Sequence, residues 1–99
     1  MIRITLQRDM RNLSMQGWTR DLSETGLSVF VAQGLLLGEF VTLEIPLTPH
    51  AREKIPSRVV RCRGTEYGFQ FMALSAEQRV LIRETLKGHR AIPLHGVER

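Results

Sequence analysis

The chain has 99 residues, 42% of them apolar and 24% charged, and a formal net charge of +4. This length holds one domain with one modest core, and this composition excludes a disordered chain except at its ends. The single cysteine, Cys62, excludes an internal disulfide, and no apolar stretch reaches the length of a membrane span or a secretory leader, so the expected location is the cytoplasm.

The first element is "IRITLQ", where Ile2, Ile4 and Leu6 alternate with Arg3, Thr5 and Gln7 as in a half-buried strand. The polar run "RDMRNLSMQG", closed by Gly17, reads as a loop, and "WTRDL" as a short second strand. "GLSVFVA" sets Leu27, Val29 and Val31 on one face. "EFVTLEIPL" does the same with Val41, Leu43 and Ile45, until Pro46 and Pro49 end the pairing. "SRVVRCRG" is a strand in which Val59 and Val60 are apolar on both sides. Cys62 within it reads as a small buried or half-buried hydrophobe. "EYGFQFMAL" aligns Tyr67, Phe69 and Phe71. Six short strands separated by turns at this spacing predict a small β-barrel or sandwich.

The period then changes. "LSAEQRVLIRETLKG" opens with Ser75 as N-cap and Gln78 three positions on, a capping box, and Gly88 is a natural stop. Ile82 and Leu86, with Leu81 beside them, are expected to cover the barrel mouth. Arg79, Arg83 and Lys87 form a solvated stripe. Residues 1–88 are thus expected to form the domain, and 89–99 a loose tail.

Catalytic and metal signatures are missing. His89 and His95 have no paired-cysteine partner motif, so no metal is expected. No nucleophile elbow, phosphate loop or close carboxylate pair occurs, so the chain is not expected to be an enzyme, and no cofactor is implied. Nucleic acid is a poor match: a charge of +4 is small, and most of the few aromatics occupy strand positions that a small barrel uses for its core.

One stretch carries more information. "RDLSETGLSV" resembles the Asp/Asn-x-Ser-x-x-Gly signature of PilZ domains, with Asp21, Ser23 and Gly26 in place. "YGFQF", with Gly68 and Phe71, looks like the later Gly-hydrophobic-x-Phe element of that family. "PSRVVRCRG" resembles its Val-Val/Ile-Arg strand. The resemblance runs from about residue 2 to about residue 87. It implies a six-stranded barrel, closed by one C-terminal helix, that receives cyclic di-GMP. Asp21 would accept from the N1–H and amine of a guanine, and Ser23 would offer one hydroxyl. Gly26 would turn the chain with positive φ and let the ligand approach the backbone. Arg20 stands beside them.

The family's second motif, Arg-x-x-x-Arg ahead of the first strand, does not occur upstream of "IRITLQ". Arg8 and Arg11, three apart, follow that strand. With Arg3 and Arg58 they are weaker candidates for a phosphate. Losing one charge-assisted hydrogen bond costs about 1.5–3 kcal/mol, so the resemblance without its arginine arm implies weakened binding. The alternative is a divergent module of the same family that binds no nucleotide and works through a protein partner.

Overall fold

Apolar residues at every second position build the wall of this molecule. The structure is a computed structural model that describes residues 3–8, 13–32 and 34–87, except the side chains of residues 3, 13, 14 and 20. The strands are β1 (Arg3–Arg8), β2 (Leu13–Leu22), β3 (Gly26–Val31), β4 (Phe40–Ile45), β5 (Glu53–Arg63) and β6 (Glu66–Phe71), followed by α1 (Ala76–Leu86). They hydrogen-bond in the order β1-β2-β3-β6-β5-β4, and β4 pairs back onto β1. Every neighbouring pair is antiparallel, so the barrel expected from the sequence is closed and leaves no open edge. Ile4, Leu6, Val29, Val41, Leu43 and Ile55 are completely buried inside it.

Two strands are longer than the pattern indicated. The expected loop over 8–17 is instead strand from Leu13 onward, with residues 9–12 outside the described part. Met15, Gly17 and Thr19 share the inward face, but a glycine and a threonine carry little apolar signal. Gly17 is a packing glycine rather than a turn: a Cβ there would meet Val29 Cγ1 at 2.5 Å and the Phe30 carbonyl at 2.8 Å. Strand β5 starts at Glu53 rather than Ser57. Pro56 sits exposed within it opposite Thr42, and its carbonyl accepts from the Met72 N–H at 2.8 Å.

The helix begins as its sequence indicated. Ser75 Oγ accepts from the Gln78 N–H at 3.0 Å, and Gln78 Oε1 accepts from the Ser75 N–H at 3.1 Å. Gln78 Nε2 also donates to the Lys54 carbonyl at 3.1 Å, which ties the first turn of α1 to β5. Ile82 is fully buried and Leu81 packs partly against the core. Leu86, expected to join them, is 41% exposed. Thr85 takes the buried place, its hydroxyl donating to the Leu81 carbonyl one turn back at 2.9 Å. Arg79, Arg83 and Lys87 are exposed. Gly88 and the expected tail, with His89 and His95, lie outside the described residues.

A turn between β3 and β4 is fastened by a nearly buried ion pair. Arg8 Nε and Nη2 both donate to the Glu39 carboxylate, the second at 2.9 Å. The pKa of Arg8 is raised by that hydrogen bond, against the desolvation that opposes it. The buried Tyr67 hydroxyl accepts from the Leu35 N–H at 3.1 Å. Two further expectations fail. Cys62 is exposed, one residue before the end of β5 and beside the Gly64–Thr65 turn. Trp18 and Phe40 are also exposed, since alternation puts both on the outer face; the core aromatics are Tyr67, Phe69 and Phe71.

Two substitutions separate core from cap. Leu43→Ala removes a fully buried side chain and should cost about 2–5 kcal/mol. Ser75→Ala removes only the cap and should cost about 1 kcal/mol. Urea unfolding with an unchanged m-value checks both.

Candidate functional site

Regular alternation would turn Asp21 and Arg61 into the core, since Thr19 and Val59 both point inward and are buried. Two β-bulges prevent this. The β2–β3 register passes from Thr19↔Val29 to Asp21↔Ser28, leaving Arg20 as the extra residue. The β5–β6 register passes from Val59↔Phe69 to Arg61↔Gly68, leaving Val60. An extra residue reverses the face of all that follow it, so both charged side chains emerge outside. Ser28 stands opposite Gly68. Asp21, Ser28, Gly68 and Arg61 therefore form one transverse row across β2, β3, β6 and β5.

The row crosses a pocket of about 520 Å³ whose lining includes Asp21, Ser23, Gly26, Ser28, Arg61 and Gln70. Arg61 Nη2 donates to Ser28 Oγ at 3.2 Å. It reaches that far because position 68 is glycine: a Cβ there would stand 3.1 Å from the Arg61 guanidinium carbon and Nη2. The guanidinium thus lies across the bare backbone of β6. A carboxylate at one end of the row and a guanidinium at the other give the pocket charges of opposite sign on opposite walls.

The loop between β2 and β3 is ordered largely by Ser23. Its hydroxyl accepts from the Thr25 and Gly26 N–H groups, each at 3.2 Å, and contacts the Gly26 carbonyl at 3.2 Å. Its own N–H donates to the Gly26 carbonyl at 2.8 Å. Ser23 is still exposed on the pocket rim, but most of its hydrogen-bonding capacity serves the loop. Glu24, the loop's apex, reaches α1 through an ion pair with Arg83 at 3.5 Å. Gly26 does not have the positive φ expected of it; among the described glycines, that conformation occurs at Gly38 and Gly64. What Gly26 supplies is closeness: a Cβ there would lie 2.0 Å from the Phe69 carbonyl oxygen.

The structure thus brings Asp21, Ser23 and Gly26 together on one pocket. Arg20 is the bulge residue of β2, and its side chain lies outside the described part, as does that of Arg3. Arg8 is held by Glu39 and does not line the pocket. Arg58 is exposed on β5 but does not line it either, and Arg11 lies outside the described residues. Arg61, Ser28 and Gln70 were not anticipated. The signal for Arg61 was present in the doubled valine before it, since Val59 and Val60 cannot both obey alternation unless the strand bulges. Among the described residues, no cluster of three or more His, Cys, Asp or Glu could hold a metal, and no helix is long and apolar enough to cross a membrane.

The family described as PilZ domain matches residues 1–88 of this chain. No curated protein matches. Among solved structures, the crystal structure of the PilZ domain of CeSA from a cellulose synthesizing bacterium aligns with a TM-score of 0.68. The alignment covers 89% of this chain and 91% of that one at 18% identity, a likeness of fold.

Close approach at Gly26 can be tested against an open glycine. Gly26→Ala should cost about 1–3 kcal/mol through the clash with β6. At Gly34 nothing lies within 4 Å of a Cβ, so Gly34→Ala should be neutral or stabilising by up to about 1 kcal/mol. Thermal or urea unfolding of the two variants gives the comparison.

Proposed function

The chain belongs to the PilZ domain family, whose members are generally cyclic di-GMP-binding modules rather than enzymes, and from that premise we propose that the pocket between Asp21 and Arg61 receives cyclic di-GMP. The observation that carries this reading is the transverse row, in which two bulges bring a carboxylate and a guanidinium out of the barrel wall on either side of one cavity. A pocket of about 520 Å³ lies within the range of ordinary small-molecule sites. Asp21 accepts from the guanine N1–H and amine, a paired contact that a neutral side chain makes less well. Arg61 offers a planar fork to a phosphate or to the guanine O6/N7 edge. Its bond to Ser28 aims it before any ligand arrives. Gly68 makes room for that guanidinium, and Gly26 adds no side chain of its own to the pocket. Ser23 shapes the loop and offers what remains of its hydroxyl.

Binding in this reading orders the β2–β3 loop, and the Glu24–Arg83 pair connects that loop to α1. A second reading is supported by Arg8 and Ser23. The first is engaged by Glu39 and the second by its own loop, which favours a module that acts through protein contacts and takes no nucleotide.

Calorimetry with cyclic di-GMP decides between the two. Removing one charge-assisted hydrogen bond costs about 1.5–3 kcal/mol. Asp21→Ala and Arg61→Ala should therefore each raise Kd about 10- to 150-fold. Binding indifferent to both substitutions removes the site assignment. No heat from the wild type at millimolar nucleotide removes the nucleotide reading and leaves the second.

A further inference from the structure

Beside the pocket, large apolar side chains stand in water. Leu36 is 70% exposed, Leu37 67%, Phe40 50% and Val60 43%. Backbone pairing gathers them on one side of the barrel. The Gly38 N–H donates to the Val59 carbonyl at 2.8 Å, and the Val59 N–H donates to the Glu39 carbonyl at 2.9 Å. The turn bearing the two leucines is thereby joined to β5 next to Val60. Phe40 follows that turn directly and stands opposite Arg58 in the β4–β5 register.

This turn is held outward. The Glu39 N–H closes it onto the Leu36 carbonyl at 3.0 Å, with Gly38 at φ 83°. The Leu36 N–H donates to Glu39 Oε1 at 3.0 Å, and Arg8 grips the same carboxylate. A loosely held loop could fold its leucines down onto the wall. This one is fixed by its backbone and by an ion pair, so the leucines stay exposed. Exposed apolar residues gathered in this way mark interaction surfaces.

The border of the surface carries positive charge. Arg58 and Arg61 are both exposed, and neither pairs with a carboxylate among the described residues; Arg61 bonds only to Ser28. Arg8 and Glu39 neutralise each other. We propose that this face docks an acidic segment of another protein, one that carries leucine or aromatic anchors. The leucines and Phe40 bury those anchors, and Arg58 meets the carboxylates, joined by Arg61 when the pocket holds no nucleotide. A second copy of this chain fits less well, because it would set one arginine border against another. Nucleic acid fits less well, because of the four apolar residues named on this face only Phe40 offers a ring for a base to stack on. The proposal stands whether or not the pocket takes a nucleotide.

The test is selection from a displayed library of short randomised peptides on the full chain, without nucleotide, with the Leu36→Ser/Leu37→Ser variant as counter-target. The enriched sequences should combine Asp or Glu with Leu or Phe. A synthetic winner, followed by fluorescence anisotropy, should lose about tenfold or more in affinity on Leu37→Ser and again on Arg58→Glu. It should also weaken with added salt. Both residues are exposed, so circular dichroism should find these variants folded. Enrichment of basic or uncharged peptides, no enrichment, or binding unmoved by either variant overturns the proposal. So does a dimer in sedimentation velocity that Leu37→Ser dissociates, or a labelled oligouridine whose binding is lost on Leu37→Ser.

Discussion

In a closed barrel a side chain points into the core or out to solvent, and the hydrogen-bonded ladder passes that choice along each strand. The two bulges, at Arg20 and Val60, are where the ladder skips a beat. Each leaves the residues before it facing inward, Thr19 and Val59, and releases a charged residue that alternation would have buried. A charge enclosed in an apolar core without compensation carries a desolvation cost of several kcal/mol by the usual order of magnitude. The bulges are therefore required by the placement of Asp21 and Arg61, and the pocket exists because both occur on strands that flank the β3–β6 pair.

Between those strands the wall is thin. Gly26 is pressed against the Phe69 carbonyl and Gly68 lies beneath the Arg61 guanidinium, so two positions that could have carried side chains carry none. The same economy explains why Arg61 can bond to Ser28, a residue two strands away. Ser23, Thr25 and Gly26 then close the adjoining loop on itself through the Ser23 hydroxyl. A site assembled in this way is preorganised by backbone and by small residues rather than by large packed side chains.

Away from the row, two polar fasteners hold the segments that alternation does not control. Gln78 ties the start of α1 to Lys54 on β5, and Arg8 with Glu39 pins the turn that precedes β4. The second fastener engages Arg8 and, in the same stroke, holds Leu36 and Leu37 in water. Val60 links the two regions, since it lines the pocket and adjoins the pinned turn. A PilZ domain arranged like this offers one face with a charged cavity and an apolar, arginine-bordered surface side by side.

Much of this was legible from residue order. Period-two runs marked β1, β3, β4 and β6. Ser75 and Gln78 marked the start of α1, and Asp21, Ser23 and Gly26 marked the loop that borders the pocket. The beginning of β2 was hidden because Gly17 and Thr19 fill inward positions without an apolar signature. The start of β5 was hidden because Pro56 resembles a break. Leu86 and Cys62 were misjudged because hydrophobicity states a preference for burial, which the tertiary packing overrides. Local pattern, which depends only on neighbours in the chain, determined the strands and the closing helix, and the order of motifs along the chain, through the family resemblance, added the barrel and the identity of the motif loop. Only the tertiary structure decided that Arg61 and not Arg58 faces Asp21, that Arg8 belongs to Glu39, and that Gly26 is needed for closeness rather than for its φ. Each of these depends on cross-strand register between residues far apart in sequence, and a single skipped residue in a ladder reverses it.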